Sequence, residues 1–371
     1  MSQPTVAVVI GTRPEAIKMA PVVLALRTSR LRPFVVATAQ HRAMLDQTLA
    51  VFGLTPDADL NVMRPGQGLG ELTARLVQQL EGVWNEAAPA MVLVQGDTTS
   101  SFAAALAAYY RRIPIGHIEA GLRTYDKYAP FPEEMNRRMI DAVADVHFAP
   151  TARAREALRR EGIPEERIHV TGNTGIDALH LTLARIRGDG FVPAGLDPAV
   201  FASKKLILVT GHRRENFGER LRGICTALRA VSRLREDAAI VYAVHQNPQV
   251  QGPVTELLSG RKNVFLTPPL DYDTFVYAMS RSDLIVTDSG GIQEEISSLG
   301  KTALVMREST ERAEAVEAGV SELVGTDPAR LANRIQELLD HPRPAARPAD
   351  LFGDGHAAER IVRILEAALP A

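Results

Sequence analysis

Short runs of apolar, largely β-branched residues alternate with longer amphipathic stretches from one end of the chain to the other, the pattern of α/β units with parallel strands. In the first half the predicted strands are Val6 to Ile10, Phe34 to Thr38, Met91 to Gln95, Ile113 to Ile118, Val146 to Ala149 and Ile168 to Thr171. In the second half they are Leu206 to Thr210, Ile240 to Val244, Val264 to Thr267, Leu284 to Thr287 and Ala303 to Met306. Helices are predicted between them, among others over Pro14 to Thr28, Ser100 to Tyr110 and Gly290 to Leu299. The rhythm lapses from Gly172 to Ser203, where Gly and Pro gather, and this predicts a first lobe over 1–172 and a second over 173–355. The loose stretch His341 to Gly355 precedes a last amphipathic helix, Ala357 to Leu369. By analogy with other two-lobed α/β proteins, residues 356–371 are expected to cross back to the first lobe.

The length of 371 residues agrees with two domains at roughly 150 residues each. With 46% hydrophobic and 23% charged residues the chain has material for full cores and no compositional reason for disorder. The balance of 42 basic against 44 acidic residues, a net charge of −2, rules out a global basic field for nucleic acid. A single cysteine, Cys225, excludes an internal disulfide and a Cys-based zinc ribbon, and suits a reducing compartment. No window reaches the about 18 apolar residues of a membrane span. The run Val6 to Ile10 is too short for a signal-peptide core and lacks a basic lead-in, so a cytoplasmic protein is expected.

Polar residues cluster just after the predicted strands, where open parallel sheets bind their ligands. Thr12, Pro14 and Glu15 have the spacing of a capping box with proline in the first turn. Arg13 and Lys18 oppose the helix dipole there, which an anionic ligand would explain and solvated surface charge would equally allow. Asp288-Ser289-Gly290-Gly291 joins a strand to a helix; it reads either as an Asp- or Ser-capped turn or as a loop bringing backbone N–H groups to a phosphate. Glu294 or Glu295 could hold two ribose hydroxyls, or compensate the dipole of the first turn. Asp97 and Glu119 follow strands, Glu133 and Glu134 open a helix, and His212 and His245 follow two further strands. A carboxylate at a buried strand end with a histidine nearby is a proton-transfer candidate. There is no Gly-x-Gly-x-x-Gly after the first strand, no Walker A motif, no Tyr-x-x-x-Lys pair and no metal-ligand spacing; the other histidines, His117 and His147 among them, read as ordinary surface or core residues.

Together, Gly11-Thr12-Arg13-Pro14-Glu15-Ala16-Ile17-Lys18, Gly96-Asp97-Thr98-Thr99, His117-Ile118-Glu119-Ala120-Gly121-Leu122-Arg123-Thr124, Pro132-Glu133-Glu134-Met135-Asn136-Arg137, Gly172-Asn173-Thr174, Gly211-His212-Arg213-Arg214-Glu215-Asn216 and Asp288-Ser289-Gly290-Gly291-Ile292-Gln293-Glu294-Glu295 resemble, in order over nearly the whole chain, the bacterial non-hydrolysing UDP-N-acetylglucosamine 2-epimerases. The resemblance implies two Rossmann-like doubly wound lobes of GT-B type with a nucleotide-sugar cleft between them. It implies reversible conversion of UDP-GlcNAc to UDP-ManNAc for surface polysaccharides, a homodimer, and neither NAD nor metal. Arg13, Lys18, Phe275, Ser289, Gly290, Gly291, Glu295 and Arg312 would hold UDP, with Asp97, Glu119, Glu133 and His212 at the chemistry. A second UDP-GlcNAc would act as activator at Gln40, Glu133, Arg213 and His245.

The chain departs from the family pattern at Ala313, where proline is common, so the loop placing Arg312 is expected to lose rigidity. Ala43 and Gly66 replace longer polar residues that some relatives use at the activator site, and Leu270 replaces a polar residue seen near the uracil in some relatives, so the activator expectation is weaker than that of the active site. A 2-epimerase for a modified UDP-HexNAc and a GT-B glycosyltransferase remain as alternatives, as does a catalytically silent nucleotide-sugar sensor.

Overall fold

The computed structural model describes residues 3–38, 42–64, 66–188, 190–197, 199, 202–211, 213–343 and 350–370, with the side chains of 42–44 and 214 left aside. The chain divides into two compact units: Met1–His180 with Phe352–Ala371, and Leu181–Leu351.

In the first unit, strands β1 (Thr5–Ile10), β2 (Arg32–Ala37), β3 (Ala58–Asp59), β4 (Met91–Gln95), β5 (Ile115–Ile118), β6 (Val146–Ala149) and β7 (Ile168–Val170) form one parallel sheet in the order β3-β2-β1-β4-β5-β6-β7. Its helices are α1 (Arg13–Arg27), α2 (Arg42–Val51), α3 (Leu69–Ala87), α4 (Thr99–Tyr110), α5 (Glu133–Val143), α6 (Ala152–Arg160) and the first half of α7 (Thr174–Ile186). The central strands are apolar throughout because helices cover both faces: Val6 to Ile10 and Met91 to Val94 are all buried. Strand order reverses between β1 and β4, the point where such sheets open a crevice at their carboxyl ends.

The second unit repeats the plan. Its strands β8 (Lys205–Gly211), β9 (Ala238–Val244), β10 (Val264–Thr267), β11 (Leu284–Thr287), β12 (Ala303–Val305) and β13 (Ser321–Leu323) are parallel in the order β10-β9-β8-β11-β12-β13, with reversal between β8 and β11. Helices α8 (Glu219–Leu234), α9 (Pro248–Leu258), α10 (Tyr272–Arg281), α11 (Gly290–Ser298), α12 (Ala313–Glu317) and α13 (Pro328–Asp340) flank it. Cys225 is buried in its core among Ile207, Val209 and Tyr242.

Two expectations change. The stretch after Gly172 carries α7, so the rhythm does not lapse there, and the units part at His180 and Leu181 within that helix rather than at 172. The first half of α7 stays with the first unit because Ile176, Ala178 and Leu179 are buried and Asp177 reaches the last helix. That helix, α14 (Ala357–Ala368), belongs to the first unit; Arg30, just after α1, donates its backbone N–H to Glu366 (3.1 Å) and its guanidinium to the carbonyl of Pro370 (2.9 Å). Among the described residues no helix is long and apolar enough to cross a membrane.

Candidate active site

Strands β4 and β5 lie side by side with Val94 opposite His117 and Gln95 opposite Ile118, so the residues that follow emerge together at the carboxyl edge of the sheet. Gly96 (φ +69°) and Glu119 (φ +65°) both adopt left-handed backbone, turning the chain out of each strand. For Glu119 this conformation is costly, which marks a position held by its surroundings. Those surroundings are polar: Lys18 of α1 pairs with Glu119 Oε2, Gln95 Nε2 donates to the same oxygen at 3.0 Å, and Asn173 Nδ2 lies 3.5 Å from it. Arg137 of α5 pairs with Asp97 and stands 3.9 Å from Glu119 Oε1. Asn136 donates to the Asp97 carbonyl at 2.9 Å. Asp97 and Glu119 are thus joined through one buried guanidinium, Glu119 being 6% and Asp97 24% exposed.

The capping box at α1 takes another form. Thr12 is the N-cap but makes no side-chain cap bond to the helix backbone. Glu15 turns inward instead, accepting the Gly11 N–H at 2.9 Å and the hydroxyls of Thr98 (2.7 Å) and Ser101 (2.6 Å). It stitches the turn after β1 to the turn after β4. Burial pushes its carboxyl above the ordinary carboxylate range, opposed by these hydrogen bonds. Gly11 is obligatory here, since a Cβ would sit 2.5 Å from Ser100 Oγ.

Glu133 and Glu134 diverge in role. Glu134 is fully buried and accepts the backbone N–H groups of Thr124 (3.0 Å) and Tyr125 (3.1 Å), pinning the segment after Glu119. Glu133 is half-buried at the first position of α5. Dipole compensation does not fully describe the role of Glu134, which spends both oxygens on a specific loop.

In the second unit, Ser289, Gly290 and Gly291 lie at the start of α11. Ser289, the N-cap, makes no side-chain cap bond; Asp288 is buried and accepts the Arg213 N–H (3.0 Å) and the Asn216 amide (3.0 Å), tying the turn after β8 to the tip of β11. Glu294 and Glu295 fall in the second turn of α11, past the reach of dipole compensation. Glu294 is paired with Arg312, whose Nε lies 2.8 Å away, while Glu295 accepts the Tyr272 hydroxyl at 2.9 Å. Arg312 is held against Gly290: a Cβ there would meet its guanidinium at 3.0 Å. Despite Ala313, the Arg312 backbone N–H is anchored to Thr310 Oγ1 (3.1 Å), and Thr310 to Gln293 (2.9 Å). Phe275 lies half-buried on α10, and His245, after β9, accepts the Asn247 N–H at 3.1 Å. Gln40 and His212 lie outside the described residues, and His117 and His147 are fully buried core residues.

Gln95, Arg137 and Asn173 complete the first unit's polar centre; the sequence showed them only as a strand end and as members of two motifs, with no role of their own. Arg137 sits one helical turn after Glu133, a spacing that places it on the same face of α5. Among the described residues no cluster of His, Cys, Asp and Glu is arranged to hold a metal.

A family model described as UDP-N-acetylglucosamine 2-epimerase matches residues 24–366. The chain is 50% identical to the UDP-N-acetylglucosamine 2-epimerase of Salmonella typhimurium, covering 97% of this chain and 98% of that one. It resembles the crystal structure of UDP-GlcNAc 2-epimerase from Neisseria meningitidis bound to UDP-GlcNAc (43% identity, TM-score 0.91, 98% of this chain and 100% of that one). It is equally similar to an S. aureus MnaA–UDP co-structure (44% identity, TM-score 0.92, 98% and 96%). A glycotransferase of kitacinnamycin at 16% identity and TM-score 0.66, matched over 99% of each chain, shares the fold alone.

Proposed function

The chain belongs to the UDP-N-acetylglucosamine 2-epimerase family, and on that premise we propose that it interconverts UDP-GlcNAc and UDP-ManNAc by eliminating UDP to 2-acetamidoglucal and adding it back. The C2–H of the sugar is not adjacent to a carbonyl, so removing it as a simple carbanion is prohibitively slow. Breaking the C1–O bond sends its electrons to the β-phosphate, develops positive charge at C1 and makes C2–H acidic. A carboxylate takes that proton, and the C1–C2 double bond forms. In the return step a proton is delivered to the opposite face of C2 while UDP oxygen reattaches to C1. Two acid–base groups on different sides of the sugar satisfy this balance.

The observation that carries the reading is the pairing of Asp97 and Glu119 at adjacent strand tips through Arg137, with Lys18 on Glu119. We assign Asp97 and Glu119 to the two proton transfers, with Glu133 and His212 as further catalytic groups. Arg13, Lys18, His212 and the backbone amides at Ser289 to Gly291 suit the charge that develops on the departing diphosphate. Phe275, Glu295 and Arg312 are assigned to the rest of UDP on the family resemblance. No cofactor enters this chemistry.

The same reading extends to a homodimer working in the cytoplasm, and to a second UDP-GlcNAc as activator at Gln40, Glu133, Arg213 and His245. Incubation with UDP-GlcNAc in D2O tests the core of the proposal: UDP-ManNAc carrying deuterium at C2 is expected, whereas hydrolysis, sugar transfer or an unlabelled product would refute it. Starting from UDP-ManNAc tests the activator, which fails if the reverse reaction runs at full rate without a trace of UDP-GlcNAc.

A further inference from the structure

Behind Asp97 and Glu119 lies a second polar cluster, centred on the buried His117 of β5, Asp141 of α5 and His147 of β6 and extended by Arg123 and Glu161. His117 Nδ1 is 2.6 Å from Asp141 Oδ1, and His117 Nε2 is 2.8 Å from the carbonyl oxygen of Gly96. Arg123 donates to Asp141 Oδ2 (2.6 Å) and, through Nε and Nη2, to Glu161 at 2.8 Å each. His147 Nε2 lies 2.9 Å from the Asp141 carbonyl. A carbonyl oxygen accepts only, so His117 Nε2 carries a proton. Asp141 accepts from Arg123 as well, so Nδ1 faces a carboxylate and donates to it. Burial works against ionising Asp141, but His117, then Arg123 and His147, outweigh it and hold its carboxyl well below the ordinary range.

Buried charges of this kind are weak sources of stability, and geometry is their best-attested use. Here the geometry is specific. His117 holds the carbonyl of Gly96, the left-handed residue that precedes Asp97, and stands two residues before Glu119. Asp141 lies one helical turn after Arg137, the guanidinium that joins Asp97 to Glu119. We propose that His117 and Asp141 are a buried positioning pair for the epimerisation, locking the tip of β4, the tip of β5 and helix α5 into one register so that Asp97 and Glu119 address the two faces of the sugar. Neither residue touches the reacting atoms. Misplacing two groups that must act in sequence slows the chemistry and lets the intermediate escape before re-addition.

The inference rests on Asp97 and Glu119 as the acid–base pair. His117→Asn and Asp141→Asn in the full-length protein test it, with kcat expressed per UDP-binding site counted by calorimetry. The expected result is a kcat lower by about 10- to 100-fold, with KM for UDP-GlcNAc within about threefold and more free UDP and 2-acetamidoglucal per product formed. Arg123→Lys, which keeps charge beside Asp141 but gives up the fork, carries the test should neither buried variant fold; it is expected to lose about threefold or more in the same direction. An unchanged kcat per site, or a loss shared by UDP affinity with no extra free UDP, would overturn the proposal. Asp97→Asn run alongside separates the two failures: if it is active the acid–base pair itself falls, and if it is dead beside a wild-type-like His117→Asn only the positioning role falls.

Discussion

Lys18, in the second turn of α1, and Glu119, 101 residues later at the tip of β5, form an ion pair in the first unit. Sheet order explains it: β1, which leads into α1, is separated from β5 only by β4. The cation proposed for the diphosphate is therefore also a partner of a proposed acid–base group. Lys18→Met is expected to lower kcat/KM by about 10²- to 10³-fold in steady-state assays. A variant within threefold of wild type would remove Lys18 from the mechanism.

Asp97→Asn and Glu119→Gln preserve shape and each remove the carboxylate proposed for one proton transfer. Each is expected to lower kcat by about 10²- to 10⁴-fold while UDP still binds. At least one should release UDP and 2-acetamidoglucal faster than it forms UDP-ManNAc, detectable by NMR of the reaction mixture. Absence of both species from both slowed variants counts against elimination.

Glu134 is buried and holds two backbone N–H groups, at Thr124 and Tyr125. Glu134→Ala leaves both donors without an acceptor and is expected to cost about 1–3 kcal/mol in urea denaturation. It should also speed tryptic cleavage at Lys127, three residues past Thr124. Cleavage at the wild-type rate would mean that other contacts hold this segment.

Gly11→Ala would place a methyl 2.5 Å from Ser100 Oγ and 2.8 Å from Thr38 Oγ1, in a region where those hydroxyls bond each other at 3.0 Å. Overpacking of this kind costs about 1–3 kcal/mol, read as a lowered unfolding midpoint. Restored stability in Gly11→Ala combined with Ser100→Gly would confirm the clash as the cause.

Asp177 accepts the Ala358 N–H at 2.8 Å and so caps α14 from α7. Burial chiefly, with Asp354 adding to it, raises its carboxyl from 3.8 to about 6 against the pull of the Ala358 and Ala357 N–H groups. A carboxyl raised in the folded state penalises folding above pH 6, and the penalty fades as pH falls toward the unfolded value. Asn keeps a capping oxygen without the charge. Asp177→Asn is expected to gain up to about 3 kcal/mol at pH 8 and only about 1 kcal/mol at pH 4.5 by chemical denaturation. An equal change at both pH values would show that ionisation is not its cause.

The strand positions were readable from the chain because each buried strand is a short apolar run ended by a polar turn. Met91 to Gln95, Val146 to Ala149, Val264 to Thr267 and Leu284 to Thr287 match residue for residue. The two-residue β3 and the edge strand β13 were not, since Ala58–Asp59 and Ser321–Leu323 lack such a run. Helix α7 was hidden by the glycines and prolines that follow it.

Candidate carboxylates were legible as residue types at strand ends, but their partners were not. Glu15 and Glu134 have the spacing of ordinary helix starts, and only the fold turns them inward to Gly11, Thr98 and Thr124. Arg137 and Asp141 lie one turn apart on α5, and polar periodicity along a helix does not say whether such a face meets water or a carboxylate. Periodicity, turn chemistry and charge balance depend on residues near one another along the chain, so the sequence carries them directly. An ion pair such as Lys18 with Glu119, or the sharing of Arg137 by Asp97 and Glu119, depends on which strand tips the sheet order sets side by side. That is a property of the assembled sheet.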